Sequence, residues 1–82
     1  MISKEDIFDS IKKRILVMKD INENEVLMES TFESLKFDSL DYIELQVYVQ
    51  ECYVIKIPDQ MLYQRTIASI EDAANYIIRH II

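Results

Sequence analysis

The residues best placed to do chemistry in this chain of 82 amino acids lie in one short run, Asp38-Ser39-Leu40-Asp41, at the head of an apolar-periodic stretch. Two roles compete for the Ser39 hydroxyl. In the first, Ser39 is an ordinary N-cap whose oxygen accepts a backbone N–H, with Asp38 outside the helix. In the second, Asp38 is the cap and Asp41 stands at the third helical position, so Ser39 takes the first helical position and its hydroxyl is free to face solvent. Backbone N–H groups and the positive end of the helix dipole then lie beside it, a favourable setting for a phosphate ester. The local residues leave both roles open, and the cap is the commoner one.

Self-contained catalysis is not expected. A serine nucleophile needs a base, and the single histidine, His80, stands at an apolar helix end near the C-terminus, where a surface position beside the negative dipole end is expected. Asp38 and Asp41 lack the ordered oxygen-ligand spacing of a calcium loop, so no metal site is expected. Cys52 is alone, which excludes an internal disulfide and a cysteine zinc site. Its place on an apolar stripe predicts a buried, inert thiol.

The elements that must position Ser39 are mostly helical. Ser3 with Asp6 three residues on marks a helix start, and Ile7, Phe8, Ile11, Ile15 and Met18 give one apolar face, predicting a helix over about residues 3–18. Early acids and late bases (Lys12, Lys13, Arg14, Lys19) complement its dipole. Residues 19–37 show no sustained period. They predict a long ordered loop pinned by Val26, Leu27, Met28, Phe32 and Leu35, and loops of that length are often functional. A second helix is expected over 39–52. Tyr53 to Ile57 alternates up to Pro58 and reads as an extended connector, followed by a short helical turn at about 59–65. Ser69 with Asp72 starts the last helix, which buries Ile70, Ala73, Ala74, Ile77 and Ile81. The expected fold is all-α, one domain over 1–82: a small bundle of three main helices plus a short one, with a long loop between helices 1 and 2.

The second helix has two faces at about 100° per residue. Tyr42, Leu45, Tyr48, Val49 and Cys52 form a core stripe. Leu40, Ile43 and Val47 fall on the opposite side, edged by Glu44 and Glu51 and, near its start, by Asp38 and Asp41. One stripe docks a helix. A second one ringed by acids suits a partner with apolar pockets and Lys or Arg side chains.

Composition agrees. The net charge is −6, half the residues are apolar, and the chain has no glycine and one proline. Residues 20–59 hold ten acids against only Lys36 and Lys56. Nucleic acid is an unsuitable partner, because phosphate neutralisation needs a basic face. The lack of glycine excludes Gly-rich phosphate loops and argues against tight hairpins. Without a signal peptide or membrane-length apolar run, a cytoplasmic protein with no membrane insertion is expected.

The run Asp38-Ser39-Leu40-Asp41 followed by Ile43-Glu44-Leu45 resembles the DSL signature of acyl carrier proteins and the related peptidyl carriers. The similarity continues in order along the chain. It includes Thr31-Phe32-Glu33-Ser34-Leu35 before the signature, Tyr53 to Asp59 after the second helix, and Thr66 to Ala73 at the entry to the last helix. The resemblance implies that Ser39 is esterified by 4′-phosphopantetheine from coenzyme A. A separate Mg²⁺-dependent phosphopantetheinyl transferase would do that chemistry, so the chain is a substrate and not an enzyme. The arm's thiol would hold an acyl or aminoacyl group, presented to acyl-loading and acyl-transferring enzymes or synthase domains by a monomeric carrier. The second helix would be the recognition helix, with Asp38, Leu40, Asp41, Ile43, Glu44, Val47 and Glu51 as contacts. Leu45, Val49, Met61 and Ile67 could line a cargo groove, but plain core is the expected role.

Two positions depart from the family pattern. Lys36 and Val54 stand where glycine is frequent, which stiffens the chain and restricts positive φ. Lys36 also brings a positive charge close to the arm's phosphate. The aromatic second helix is unlike that of housekeeping fatty-acid carriers. It resembles free-standing carriers of specialised polyketide or nonribosomal peptide pathways, with carriers of aminomalonyl extender units in colibactin-type lines as one candidate. The competing reading is an unmodified helical module that binds a basic partner through the acidic second helix.

Overall fold

The computed structural model of the protein describes residues 2–81. It contains α1 (Lys4–Met18), a single 3₁₀ turn (Glu23–Glu25), α2 (Ser39–Tyr53), the short α3 (Asp59–Tyr63) and α4 (Ile70–His80). No strand occurs among the described residues, only an isolated bridge between Thr31 and Ser69. This is the expected all-helical bundle of three main helices and a short one.

Each long helix starts on a reciprocal cap: Ser3 with Asp6, Asp38 with Asp41, and Ser69 with Asp72. In each pair one side chain accepts from the third helical N–H while the third residue's carboxylate accepts from the cap N–H. Two of the orphan donors of a helix start are thereby satisfied. α1 and α2 run antiparallel. Lys19, just past the end of α1, meets Asp41 in the first turn of α2, and Ser10 in the middle of α1 meets the Tyr53 hydroxyl at the far end of α2.

The core forms where the apolar faces converge. Ile7, Ile11 and Ile15 of α1, Leu45 and Val49 of α2, and Ile70, Ala73, Ala74 and Ile77 of α4 have no exposure to solvent. The two alanines let α4 approach α1 closely, and Lys4 bonds Glu71 across that seam at 2.7 Å. The α1–α2 loop is ordered by burial of Val26, Phe32 and Leu35 and by backbone bonds to the α4 entry, Phe32 N–H to the Ala68 carbonyl (2.9 Å) and Ile70 N–H to the Ser30 carbonyl (3.0 Å).

Four expectations need correction. Leu27 is exposed and Met28 only half-buried, because the turn there closes through the Ser30 hydroxyl and not through apolar contact. Ile81 lies past the last helical residue at the bundle edge and is exposed. Tyr53 is the last residue of α2, so the extended segment starts beyond it; the alternation survives in the burial of Ile55 and Ile57. Cys52 is exposed. It lies on the wheel's core side, but across its last turn α1 offers the polar Ser10, and the long Tyr53 side chain spans that gap. The small thiol is left uncovered.

The glycine-free chain still makes left-handed turns. Lys36 (φ 60°), Val54 (φ 57°) and Arg65 (φ 60°) all adopt positive φ. At Lys36 the bonds from its own N–H to the Glu33 carbonyl and from Phe37 N–H to the Phe32 carbonyl, each 3.0 Å, form a Schellman stop to a single helical turn. Side chains at the two glycine-favouring positions therefore do not prevent the left-handed turn. They place a Cβ where it is costly, by about 1–2 kcal/mol per residue, and most for a β-branched side chain.

Val54 is 87% exposed and contributes almost no packing. Val54→Gly should stabilise the protein by about 1 kcal/mol, the relief of strain less the extra unfolded-chain entropy of glycine. Urea unfolding would show a higher midpoint at unchanged slope. An unchanged or lower midpoint would mean that the left-handed valine is not strained.

Candidate functional site

The start of α2 shows which residue caps it. Asp38 Oδ1 accepts the Asp41 N–H at 2.9 Å, and Asp41 Oδ2 accepts the Asp38 N–H at 3.0 Å. Asp38 is the cap, Ser39 is the first helical residue, and Ser39 is exposed. Among the described residues no side-chain hydrogen bond to Ser39 supports the helix start. The hydroxyl is free and sits at the positive end of a four-turn helix, which fits a phosphate ester.

The outward face of α2 is also as expected. Leu40 is 75% exposed, Ile43 51% and Val47 47%, with Glu44 and Glu51 exposed beside them. Leu45 and Val49 are closed in the core, and Tyr42 and Tyr48 are half-buried on that side. Tyr42 packs edge-on to Phe32 and Phe37, which rest on each other at 5.0 Å between ring centroids, so an aromatic cluster wedges the loop against the first turn of α2.

Asp41 differs from the other acids. Its carboxylate turns inward and meets the Lys19 ammonium at 2.8 Å, with both side chains largely covered. Burial by itself would push the Asp41 carboxyl up. The hydrogen bond and charge of Lys19, with the Asp38 N–H, outweigh it and hold the group below its ordinary value. The same ammonium donates to the Lys36 carbonyl at 3.0 Å and lies 5.8 Å from the centre of the Phe37 ring. Lys36 itself is exposed.

Sequence reasoning treated Lys19 only as a dipole partner of α1. Its spacing from Asp41 follows no helical or strand period, so no local signal pairs them. A groove of about 240 Å³ beside Tyr42, lined also by Thr31, Leu62, Arg65 and Ile67, was likewise not anticipated, apart from Ile67. Arg65 and Glu33 pair at 2.8 Å on its rim.

A small helical bundle that presents an unengaged serine at a helix start, next to an exposed apolar face edged by acids, has the form of a carrier. Comparison with known proteins agrees. The family model for the phosphopantetheine attachment site matches residues 16–77. Acyl carrier proteins from Campylobacter lari and Wolinella succinogenes are 39% and 40% identical over 72 residues, covering 87% of this chain and 91% and 92% of theirs. One from Rubrobacter xylanophilus is 31% identical over 80 residues, 96% of each chain. The chain belongs to the phosphopantetheine-bearing acyl carrier protein family. Members are carriers and not catalysts, and the prosthetic group is a covalent 4′-phosphopantetheine. No helix among the described residues is long and apolar enough to cross a membrane.

The depressed Asp41 carboxyl makes a signed prediction. A group whose folded value lies below its unfolded one stabilises the fold above the unfolded value, and that contribution is lost as pH falls through the folded one. Asp41→Asn should therefore cost stability at pH 7, and the gap to the parent should close as the pH falls below about 3.8, the ordinary aspartate value. Urea midpoints of both proteins at pH 7 and pH 3 measure it. A gap that is equal at both pH values would refute the charge-based account.

Proposed function

We propose that Ser39 is the residue that carries the 4′-phosphopantetheine arm, and that one carrier domain spanning residues 1–82 presents the cargo to its partners through the outer face of α2. The observation that supports this most directly is the reciprocal Asp38–Asp41 cap, which relieves Ser39 of any structural task and leaves its hydroxyl exposed. When attached, the arm supplies a thiol that holds an acyl or aminoacyl group as a thioester. The chain's own residues give the hydroxyl its position and a favourable field at the helix N-terminus.

Docking falls to Leu40, Ile43 and Val47 as apolar anchors, with Asp38, Glu44 and Glu51 as charged guides for a basic partner surface. Asp41 shapes this surface from within instead of touching the partner. The partners are a phosphopantetheinyl transferase and acyl- or aminoacyl-transferring enzymes or synthase domains, met by a monomer in the cytoplasm. The finer assignment is a specialised polyketide or nonribosomal peptide pathway with an extender unit of the aminomalonyl type. Its support is the aromatic recognition helix with Tyr42 and Tyr48 and the side-chain-bearing residues at the glycine-favouring positions 36 and 54.

Incubation with coenzyme A, Mg²⁺ and a broad-specificity transferase should add one phosphopantetheine by intact mass, and Ser39→Ala should add none. Equal addition to both proteins would remove Ser39 from the role. Absence of addition to the parent would instead favour the unmodified interaction module. Val47→Asp puts an isolated charge among the apolar anchors. It should weaken partner-dependent acyl transfer by about tenfold or more without changing the fold, since docking anchors of this kind contribute above about 1 kcal/mol. Weighing the species on the arm of protein isolated from its source tests the cargo.

A further inference from the structure

The Lys19 side chain joins three separate parts of the chain at one point. It leaves the C-terminal end of α1, donates to the Asp41 carboxylate at 2.8 Å and to the Lys36 carbonyl at 3.0 Å, and lies against the Phe37 ring. Asp41 is the residue whose other bond closes the cap over Ser39, and both bonds use the same oxygen, Oδ2. Lys36 is the left-handed stop that turns the loop into α2. Phe37 belongs to the aromatic wedge with Phe32 and Tyr42. One ammonium thus holds both the loop that leads into Ser39 and the carboxylate that sets its helix start.

Burial gives this contact weight. The Lys19 and Asp41 side chains are 18% and 15% exposed, whereas the Arg65–Glu33 pair on the rim is about 70% exposed on both sides. An exposed pair contributes little, but removing one partner of a covered pair leaves the other charge unmatched. Deleting Lys19 would leave Asp41 under-solvated, and its carboxylate would swing out to water and open the cap. It would also uncover a second negative charge beside Asp38. Both charges would then face the phosphates of an incoming coenzyme A molecule.

We propose that Lys19 is a positioning residue for modification of this carrier: by clamping Asp41 and the Lys36 carbonyl it keeps Ser39 at the first helical position and masks one of the two carboxylates next to it. This rests on Ser39 being the attachment residue. It adds the residue that ends α1, twenty positions before the serine, to the determinants of transferase recognition. Lys19 touches neither the hydroxyl nor the coenzyme. It acts through Asp41.

The test compares the parent, Lys19→Met, Lys19→Arg and Ile77→Val with coenzyme A, Mg²⁺ and a broad-specificity transferase. Ile77→Val is a mildly destabilising change in the α4 core. Lys19→Met should lose about tenfold in kcat/KM for the carrier, the scale of one charged hydrogen bond. Lys19→Arg should recover to within about twofold of the parent, because it restores a charged donor, and Ile77→Val should match the parent. Amide exchange at Asp38 and Asp41, whose N–H groups the reciprocal cap holds, should speed up in Lys19→Met and not in Ile77→Val. Modification of Lys19→Met at the parent rate would overturn the proposal. An equal loss in Ile77→Val would do so too, by reducing the effect to stability. A parent that takes no arm defeats the Ser39 assignment instead, and the exchange measurement still decides whether Lys19 holds the cap.

Discussion

A helix cannot begin without partners for its first N–H groups, and at the start of α2 that requirement is met by two aspartates bonding each other's backbones. The function proposed for Ser39 depends on this. If the serine were the cap, its oxygen would be held against a backbone N–H, and any group placed on it would cost the helix its start. With Asp38 and Asp41 in that role, the hydroxyl can be modified while the cap stays intact. The same arrangement sets the register of the helix. It sends Tyr42, Leu45 and Val49 inward and Leu40, Ile43 and Val47 outward.

The absence of glycine adds a second constraint. The bundle needs left-handed stops before α2, after α2 and after α3, and Lys36, Val54 and Arg65 supply them at a conformational cost. Each of these residues is exposed, so the cost comes without packing in return. The backbone geometry is set by the surrounding hydrogen bonds and core contacts, which over-determine each turn. At Lys36 the Schellman bonds, the buried Phe32 and Leu35, and the Lys19 contact to its carbonyl hold the left-handed conformation together. The stop that aims the chain into Ser39 is thus both strained and the best braced of the three.

Much of this was legible in the sequence because it is local. The caps of α1 and α4 are written as Ser with an Asp three residues on, while at α2 the local residues leave Asp38 and Ser39 both open and the structure gives the cap to Asp38. The faces of α1 and α2 follow from the isoleucine spacing in one and from Leu40, Ile43 and Val47 against Leu45 and Val49 in the other. What was not legible depends on which element lies opposite. Cys52 belongs to the core side of α2 by angle, but a wheel does not say what covers the last turn, and there α1 presents Ser10. Positive φ at residues 36 and 54 was expected to be restricted by their side chains. Residue type sets only the local cost, while the hydrogen bonds that overrule it come from the fold. Lys19 and Asp41 meet only because α1 and α2 run antiparallel, and nothing within either helix indicates that pairing.

That pairing also changes the meaning of the acidic signature. By composition the start of α2 carries Asp38, Asp41 and Glu44 within seven residues, which reads as an acidic surface made for a basic partner. In the folded protein Asp41 is matched by Lys19 and turned away from solvent. The field near Ser39 is then that of Asp38 and Glu44 against the helix dipole, with exposed Lys36 one turn of chain away. Such a surface attracts a basic partner less strongly than its sequence suggests and tolerates a phosphodiester more readily. Exposed leucine, isoleucine and valine make up the rest of it. Selectivity among partners would therefore rest on the fit of those three side chains together with attraction by the exposed Asp38, Glu44 and Glu51, and association through this face should weaken as salt is raised.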